Sequence, residues 1–127
     1  MARPHPESER ALHAPLQTFD LEAEIERLRG EGEWREGQRN AITLRKGEGF
    51  SVVLLAMRKG DRIPEHSAPG PISVAVREGR IRFTTADEEV EADARRLITC
   101  EANVEHAVEA LEDAVCVVSI AGSHGPA

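Results

Sequence analysis

Two histidines are the side chains in this sequence whose type and setting could support chemistry. His66 follows a Pro-Glu pair in the segment from Gly60 to Ala68, and His106 begins the apolar stretch His-Ala-Val. A neutral imidazole binds zinc or iron, and near neutral pH it also serves as a general base. Two imidazoles alone lack the carboxylate that non-haem iron prefers and the third ligand of a catalytic zinc. Three interpretations follow: an incomplete site for a divalent metal (zinc, iron, manganese or nickel), a metal-free general base, or polar residues that line a cavity.

Cysteines and short motifs add little chemistry. Cys100 and Cys116 are isolated, without the CxxC spacing of metal or redox sites, and are expected to be free thiols in a reducing compartment. Cys100 is the one further side chain considered as a metal ligand. The sequence contains no GxSxG, P-loop, GxGxxG or HExxH motif. It therefore gives no sign of a serine hydrolase, a nucleotide-binding loop or a zinc protease.

The elements that must position the histidines are predicted to be β-strands. From about residue 40 the apolar and polar residues alternate with the period of a strand, and Gly, Pro and Asp clusters separate the runs. No helical pattern follows any strand, which excludes a parallel α/β sheet. Eight or so short strands at even spacing indicate a sandwich or jelly roll. The predicted strands lie near residues 42–45, 50–57, 72–77, 80–84, 90–92, 97–100, 106–111 and 115–120.

One short helix is predicted ahead of these strands. Asp20 has the character of an N-cap, apolar residues follow at helical spacing, and Gly30 stands where a C-terminal cap is expected. The predicted organisation is a flexible arm or extended segment over 1–17, a short helix and connector over 18–35, a barrel over 36–122 and a tail over 123–127. His5 and His13 belong to the arm and are not expected to be ligands.

The segment around His66 resembles the first cupin motif. In that motif a glycine is followed after five residues by His-x-His, a glutamate comes three residues later, and a glycine closes a turn after six more. Gly60, His66 and Gly79 stand at the matching spacings, whereas Ala68 and Ile72 take the places of the second histidine and the glutamate. The resemblance thus implies a metal motif of which only part is present.

The segment around His106 resembles the second cupin motif, and His106 matches its histidine. Asn103 replaces the turn glycine, and asparagine tolerates the left-handed conformation better than most residues. The resemblance covers about residues 40–121 and extends to a subgroup of small, uncharacterised single-domain cupins. It implies an all-β fold, the RmlC-like jelly-roll barrel or double-stranded β-helix, with one short N-terminal helix.

Strand alternation indicates which residues share the face of His66. If His66 points inward, alternate residues after it do so as well, since successive side chains point to opposite faces. That inward series is His66, Ala68, Ile72, Val74 and Val76. The same alternation places Glu65 and Glu105 on the opposite face from the histidines. The predicted ligand-binding residues are His66, His106, Ile72 and Val74, and the candidate metal ligands are His66 and His106.

Composition and charge exclude several classes of partner. The net charge is −7 with acidic and basic residues interleaved, which argues against a nucleic acid or an anionic membrane as the partner. With three Phe, one Trp and no Tyr, the chain lacks platforms for base stacking. The longest apolar run, 52–57, is far short of the roughly 20 residues of a membrane span. The N-terminus has no apolar stretch of signal-peptide length, so a cytoplasmic location is expected.

Three functions remain open at this stage. The leading hypothesis is a cupin-like domain that binds a small molecule in the barrel cavity. The first alternative is a metal-dependent cupin enzyme, such as a dioxygenase, isomerase or decarboxylase of a small metabolite. The second is a non-catalytic interaction module that works as a homodimer. It is motivated by the stretch 50–57, which is apolar on both faces, and by the resemblance to cupins, which often exchange N-terminal segments.

Overall fold

Two antiparallel sheets, preceded by two short helices, make up the fold. The computed structural model describes residues 12–122 and confirms the predicted all-β class. The helices are α1 (Leu21–Arg29) and α2 (Gly32–Arg35). The strands are β1 (Asn40–Lys46), β2 (Phe50–Met57), β3 (Arg62–His66), β4 (Ile72–Glu78), β5 (Ile81–Thr84), β6 (Glu89–Ala92), β7 (Leu97–Cys100), β8 (His106–Ala110) and β9 (Ala114–Ala121).

The two sheets face each other across the main apolar core. The five-stranded sheet has the order β1-β2-β9-β4-β7, and the four-stranded sheet has the order β3-β8-β5-β6. Alternate residues of both sheets point into the space between them, as in other β-sandwiches. The fully buried members of this core include Met57, Ile81 and Ala114. Ile81 also lines the cavity described below.

The helical segment covers the outer face of the five-stranded sheet. The side chain of Asp20 accepts a hydrogen bond from the Ala23 N–H, as predicted for an N-cap. Ile25 and Leu28 are buried in a second apolar cluster, together with Leu54 of β2. The four-residue helix α2, which the sequence analysis did not predict, adds the buried Trp34 to this cluster. The helix pair therefore belongs to the core of the domain.

The position of α1 explains why β2 is apolar on both of its faces. Its odd-numbered residues from 51 to 57 face the space between the sheets, and Leu54 and Ala56 pack under α1. The strand is thus packed on both sides by parts of the same chain. The homodimer stays a prediction, but the apolar pattern of β2 no longer supports it.

Strand β3 carries His66 and was not among the predicted strands. It contains Pro64 and three charged or polar residues, so its sequence has no apolar alternation. It pairs only with β8 and forms an edge of the four-stranded sheet. Proline lacks an N–H donor and is tolerated at such edges. Tertiary pairing, rather than local pattern, thus makes this segment a strand.

The outer face of the four-stranded sheet is charged. Arg82 lies at its centre and forms salt bridges with Glu89, Glu91 and Glu109 on the neighbouring strands. Opposite charges on adjacent strands stabilise a solvent-facing sheet by up to about 1 kcal/mol per pair. Within residues 12–122 there is no helix long and apolar enough to cross a membrane.

The described part of the N-terminal arm lies along β1. The carbonyl of Leu12 accepts a hydrogen bond from the Lys46 N–H, and the carbonyl of Ala14 accepts one from the Arg45 guanidinium. His13 is exposed. The rest of the predicted arm, including His5, and the predicted tail lie outside the described residues.

Candidate functional site: a cavity between the sheets

A cavity of about 480 Å³ lies between the two sheets, within the size range of small-molecule sites. It opens at the end of the sandwich where β3 ends at His66 and β4 begins at Ile72. Most of its wall is apolar. Its residues are Thr43, Lys46, Ser51, Val53, Leu55, Ile63, His66, Ser67, Ala68, Pro69, Ile72, Val74, Ile81, Phe83, His106, Val108, Cys116, Val118 and Ile120.

The two histidines meet as a cross-strand pair at the mouth of this cavity. His66 of β3 is the register partner of His106 of β8, and their ring centroids are 4.3 Å apart. The register shifts between Ile63 and His66, so one extra residue of β3 lies between two inward-facing positions. Such a bulge re-aims the following side chain. The structure therefore brings together two residues that are far apart in sequence.

Main-chain carbonyls fix the orientation of both imidazole rings. The Nδ1 atom of His66 lies 3.0 Å from the Pro64 carbonyl oxygen, and that of His106 lies 3.0 Å from the Val104 carbonyl oxygen. A carbonyl accepts only, so each Nδ1 carries the donated proton. In the neutral rings each Nε2 is consequently an acceptor. The pair offers two imidazole acceptors to whatever occupies the cavity.

His106 is the more enclosed of the two rings. It is 4 % exposed, and its ring stacks on Phe83 with centroids 5.0 Å apart and planes 15° apart. Burial lowers the pKa of His106 below its usual value, and the neighbouring His66 lowers it further, while the bond to Val104 opposes the shift. His106 is therefore held in its neutral form.

This lowered pKa predicts that acid destabilises the fold through His106. The folded protein binds the His106 proton less readily than the unfolded chain, so protonation favours unfolding. This destabilising effect of His106 is absent above about pH 6.5, the pKa of histidine in the unfolded chain. It grows as the pH falls from there toward the pKa of His106 in the folded protein. We expect the urea midpoint to fall between pH 8 and pH 5.5 in the wild type, and to fall less in His106→Phe.

The matched control for this measurement is His13→Gln, which removes an exposed histidine. It should keep the full pH dependence of the wild type. The carboxylates are the same in all three proteins, so the difference between their slopes reports the substituted histidine. Equal slopes for His106→Phe and the wild type would contradict the assignment of the acid sensitivity to His106.

The residues present do not form a complete metal site. Among residues 12–122 there is no group of three or more His, Cys, Asp or Glu side chains placed to hold one ion. Cys100 is not part of the cavity wall, and burial raises the pKa of the Cys116 thiol to about 12, so Cys116 is not a ready thiolate. Glu65 is exposed and pairs with Arg62. A metal at this position would have only two imidazole nitrogens from the described residues.

Two further predicted residues, Ile72 and Val74, lie in the cavity wall beside the histidines. Ala68 also lines the cavity, whereas Glu105 is exposed. The cavity wall also includes three residues that were not predicted, Phe83, Ser51 and Lys46. Phe83 could have been found from the strand register, because it pairs with Val108, two residues beyond His106 on the same face.

Asn103 ties the two motif segments together at the mouth. It adopts the left-handed conformation expected of it, with φ of 66°. Its N–H donates to the carbonyl of Ala68 at 2.8 Å. The turn before His106 is thereby fixed to the segment that follows His66. This hydrogen bond helps to fix the relative position of the two strands that carry the histidines.

Comparisons with known proteins agree with this architecture. The family model described as a cupin domain matches residues 53–121, which is 69 of the 127 residues. No curated protein matches the sequence. A conserved protein of unknown function from Streptococcus pyogenes has a similar structure, with 22 % identity and a TM-score of 0.66 over 71 % of this chain and 79 % of that one.

Two other solved structures share the fold. An RmlC-like cupin protein from Desulfovibrio desulfuricans is 20 % identical, with a TM-score of 0.66 over 84 % of this chain and 96 % of that one. The DMSP lyase DddQ from Ruegeria pomeroyi is 13 % identical, with a TM-score of 0.62 over 66 % of this chain and 47 % of that one. At these identities the likeness concerns the fold, which hosts unrelated functions.

Proposed function

The chain belongs to the cupin domain family, and on that premise we propose that it binds a small, mainly apolar molecule in the barrel cavity. The observation that carries the proposal is the cavity itself. Its wall is formed largely by aliphatic side chains, and its volume of about 480 Å³ is that of a site for one small molecule. Removing apolar surface from water on binding is favourable by roughly 25 cal/mol per Å².

The histidine pair supplies the polar recognition. With both Nδ1 atoms engaged by carbonyls, the Nε2 atoms accept hydrogen bonds from a ligand. The matching ligand carries a hydroxyl or an N–H group on an apolar body. His106 is buried, and a buried acceptor left without a donor costs about 1–3 kcal/mol, so such a ligand is preferred over a pure hydrocarbon.

A titration with N-phenyl-1-naphthylamine tests this proposal, because that probe joins an apolar body to one N–H donor. We expect one probe per chain, with enhanced emission on binding. His106→Phe keeps an aromatic ring on Phe83 but removes the acceptor, and it should weaken binding about fivefold, the value of one net hydrogen bond. His13→Gln should leave binding unchanged. Absence of probe binding to the folded wild type would contradict the proposed function.

The metal-dependent enzyme makes a different prediction about metal content. With two imidazoles and no third ligand among residues 12–122, we expect protein purified without a histidine tag to hold well under one equivalent of zinc, iron, manganese or nickel. Elemental analysis beside His66→Ala and His106→Ala measures this. Near one equivalent in the wild type, lost in both variants, would support the enzyme and overturn the expectation.

A further inference from the structure

The charge of the cavity wall has one sign. Among the described residues that line the cavity, the titratable groups are Lys46, His66, His106 and Cys116, and no Asp or Glu is present. Burial raises the pKa of the Cys116 thiol, which stays neutral. The whole chain nevertheless carries a net charge of −7. Among the described residues of the wall, Lys46 is therefore the one Lys or Arg, in an otherwise acidic protein.

A β-bulge places Lys46 on this wall. In β1, Thr43 pairs with Val53 and Arg45 pairs with Val52, so the register shifts between them. Without the extra residue, Arg45 would share the cavity face with Thr43, since side chains two apart point the same way. With the bulge, the inward position passes to Lys46. Bulges re-aim side chains near functional sites in this manner.

Strand register puts Lys46 at the same end of the cavity as the histidine pair. Lys46 pairs with Ser51, Ser51 pairs with Ile120, and Ile120 pairs with Ile72. Ile72 begins β4 just after the loop that leaves His66 at the end of β3. Lys46 and the His66–His106 pair both line the cavity. None of the salt bridges among residues 12–122 involves Lys46.

A second depression of about 590 Å³ has the opposite charge. It lies between the edge strands β6 and β7 and is open to solvent, and its wall includes Phe83 and Val104, which contact His106. The charged residues that line it are Asp87, Glu88, Glu91, Arg96 and Glu101. Four carboxylates and one guanidinium repel an anion. The two large concave surfaces of the domain thus differ in the charge that they accept.

We propose that the cavity selects amphipathic anions, molecules with an apolar body and one carboxylate, sulfonate or phosphate group that pairs with Lys46 at the mouth. This inference rests on the proposed function and deepens it by naming the ligand class. The apolar body fills the aliphatic interior, and the ammonium group of Lys46 neutralises the anionic group. No carboxylate is found among the described residues of the wall, so an anion there avoids the repulsion that it would meet elsewhere on this acidic chain.

Two probes with one shared body test the inference. 1-Anilinonaphthalene-8-sulfonate is N-phenyl-1-naphthylamine with an added sulfonate, so the change in the ratio of their affinities on substitution of Lys46 reports the anionic contact. We expect Lys46→Met to weaken binding of the sulfonate about fivefold and to leave the neutral probe unchanged, since a partly exposed ion pair contributes up to about 1 kcal/mol. Added salt should weaken sulfonate binding by the wild type more than by the variant.

Lys59→Met is the matched control, because Lys46 and Lys59 are the two lysines of the chain and Lys59 is exposed outside the cavity. It should change neither affinity. Equal effects of Lys46→Met on both probes, or no effect on the sulfonate, would overturn the anion preference while the neutral probe still reports cavity binding. Failure of the neutral probe to bind would instead reject the proposed function, so the two failures are distinguishable.

Discussion

Replacing Gly70 with alanine should destabilise the fold by about 3 kcal/mol, the upper range for overpacking a tight site. A Cβ at Gly70 would lie 1.7 Å from the carbonyl oxygen of Ala121, and backbone cannot swing aside as a flexible side chain can. Gly70 is buried, and its neighbour Pro71 accepts a hydrogen bond from the Ala121 N–H at 2.9 Å. Thermal unfolding should shift down by about 10 °C for a domain of this size.

Gly49→Ala is the control for this substitution. Gly49 lies near the same end of β9, where its carbonyl accepts from the Gly122 N–H, and an added Cβ meets nothing within 4 Å. Its melting temperature should stay within a few degrees of the wild type. A Gly70→Ala protein as stable as Gly49→Ala would show that the loop 67–71 can move away from β9, contrary to the packing described.

Much of the fold could be predicted from the sequence because most strands bury one face. Ile72, Val74 and Val76 alternate with small or polar residues, and the structure buries all three. The N-cap at Asp20 and the left-handed turn at Asn103 could be predicted from the intrinsic preferences of these residue types. Where local pattern and tertiary environment agree, sequence reasoning succeeds.

The failures in the fold have a common cause. Strand β3 and helix α2 are short and have few apolar residues, so each is fixed by the element it packs against rather than by its own pattern. The alternation in β1 was visible, yet Ile42 and Leu44 face α1 and not the cavity. When a strand is buried on both faces, its sequence does not indicate which residues face the cavity and which face the helix.

The candidate site was predictable only in part for a related reason. His66 and His106 could be found from the motif resemblance, but their contact depends on the bulge in β3. Lys46 was missed because a second bulge, in β1, decides that it and not Arg45 faces inward. A one-residue change of register moves a side chain to the opposite face, and register belongs to the pairing of two strands. One strand's sequence does not contain it.

Replacing Val118 with tryptophan should strongly weaken the binding of both naphthylamine probes. Val118 lies in the middle of the central strand β9, and its register partners Val53 and Val74 also line the cavity. Facing sheets in a sandwich lie roughly 10 Å apart, so an indole at this position reaches across the space that a ligand would occupy. We expect affinities to fall at least about thirtyfold, which is about 2 kcal/mol. Fluorescence titration of each probe measures the loss.

Ser119→Trp adds the same side chain to the opposite face of the same strand. Ser119 lines a shallow groove on the outer face with Phe50 and Ser73, away from the cavity, and there the indole should leave both affinities unchanged. Circular dichroism and urea unfolding establish that each variant is folded. If a folded Val118→Trp protein bound the probes as tightly as Ser119→Trp, the ligand would sit outside the barrel. The effect of Lys46→Met on sulfonate binding would then report a contact at the surface, and the cavity would be part of the core and not a binding site.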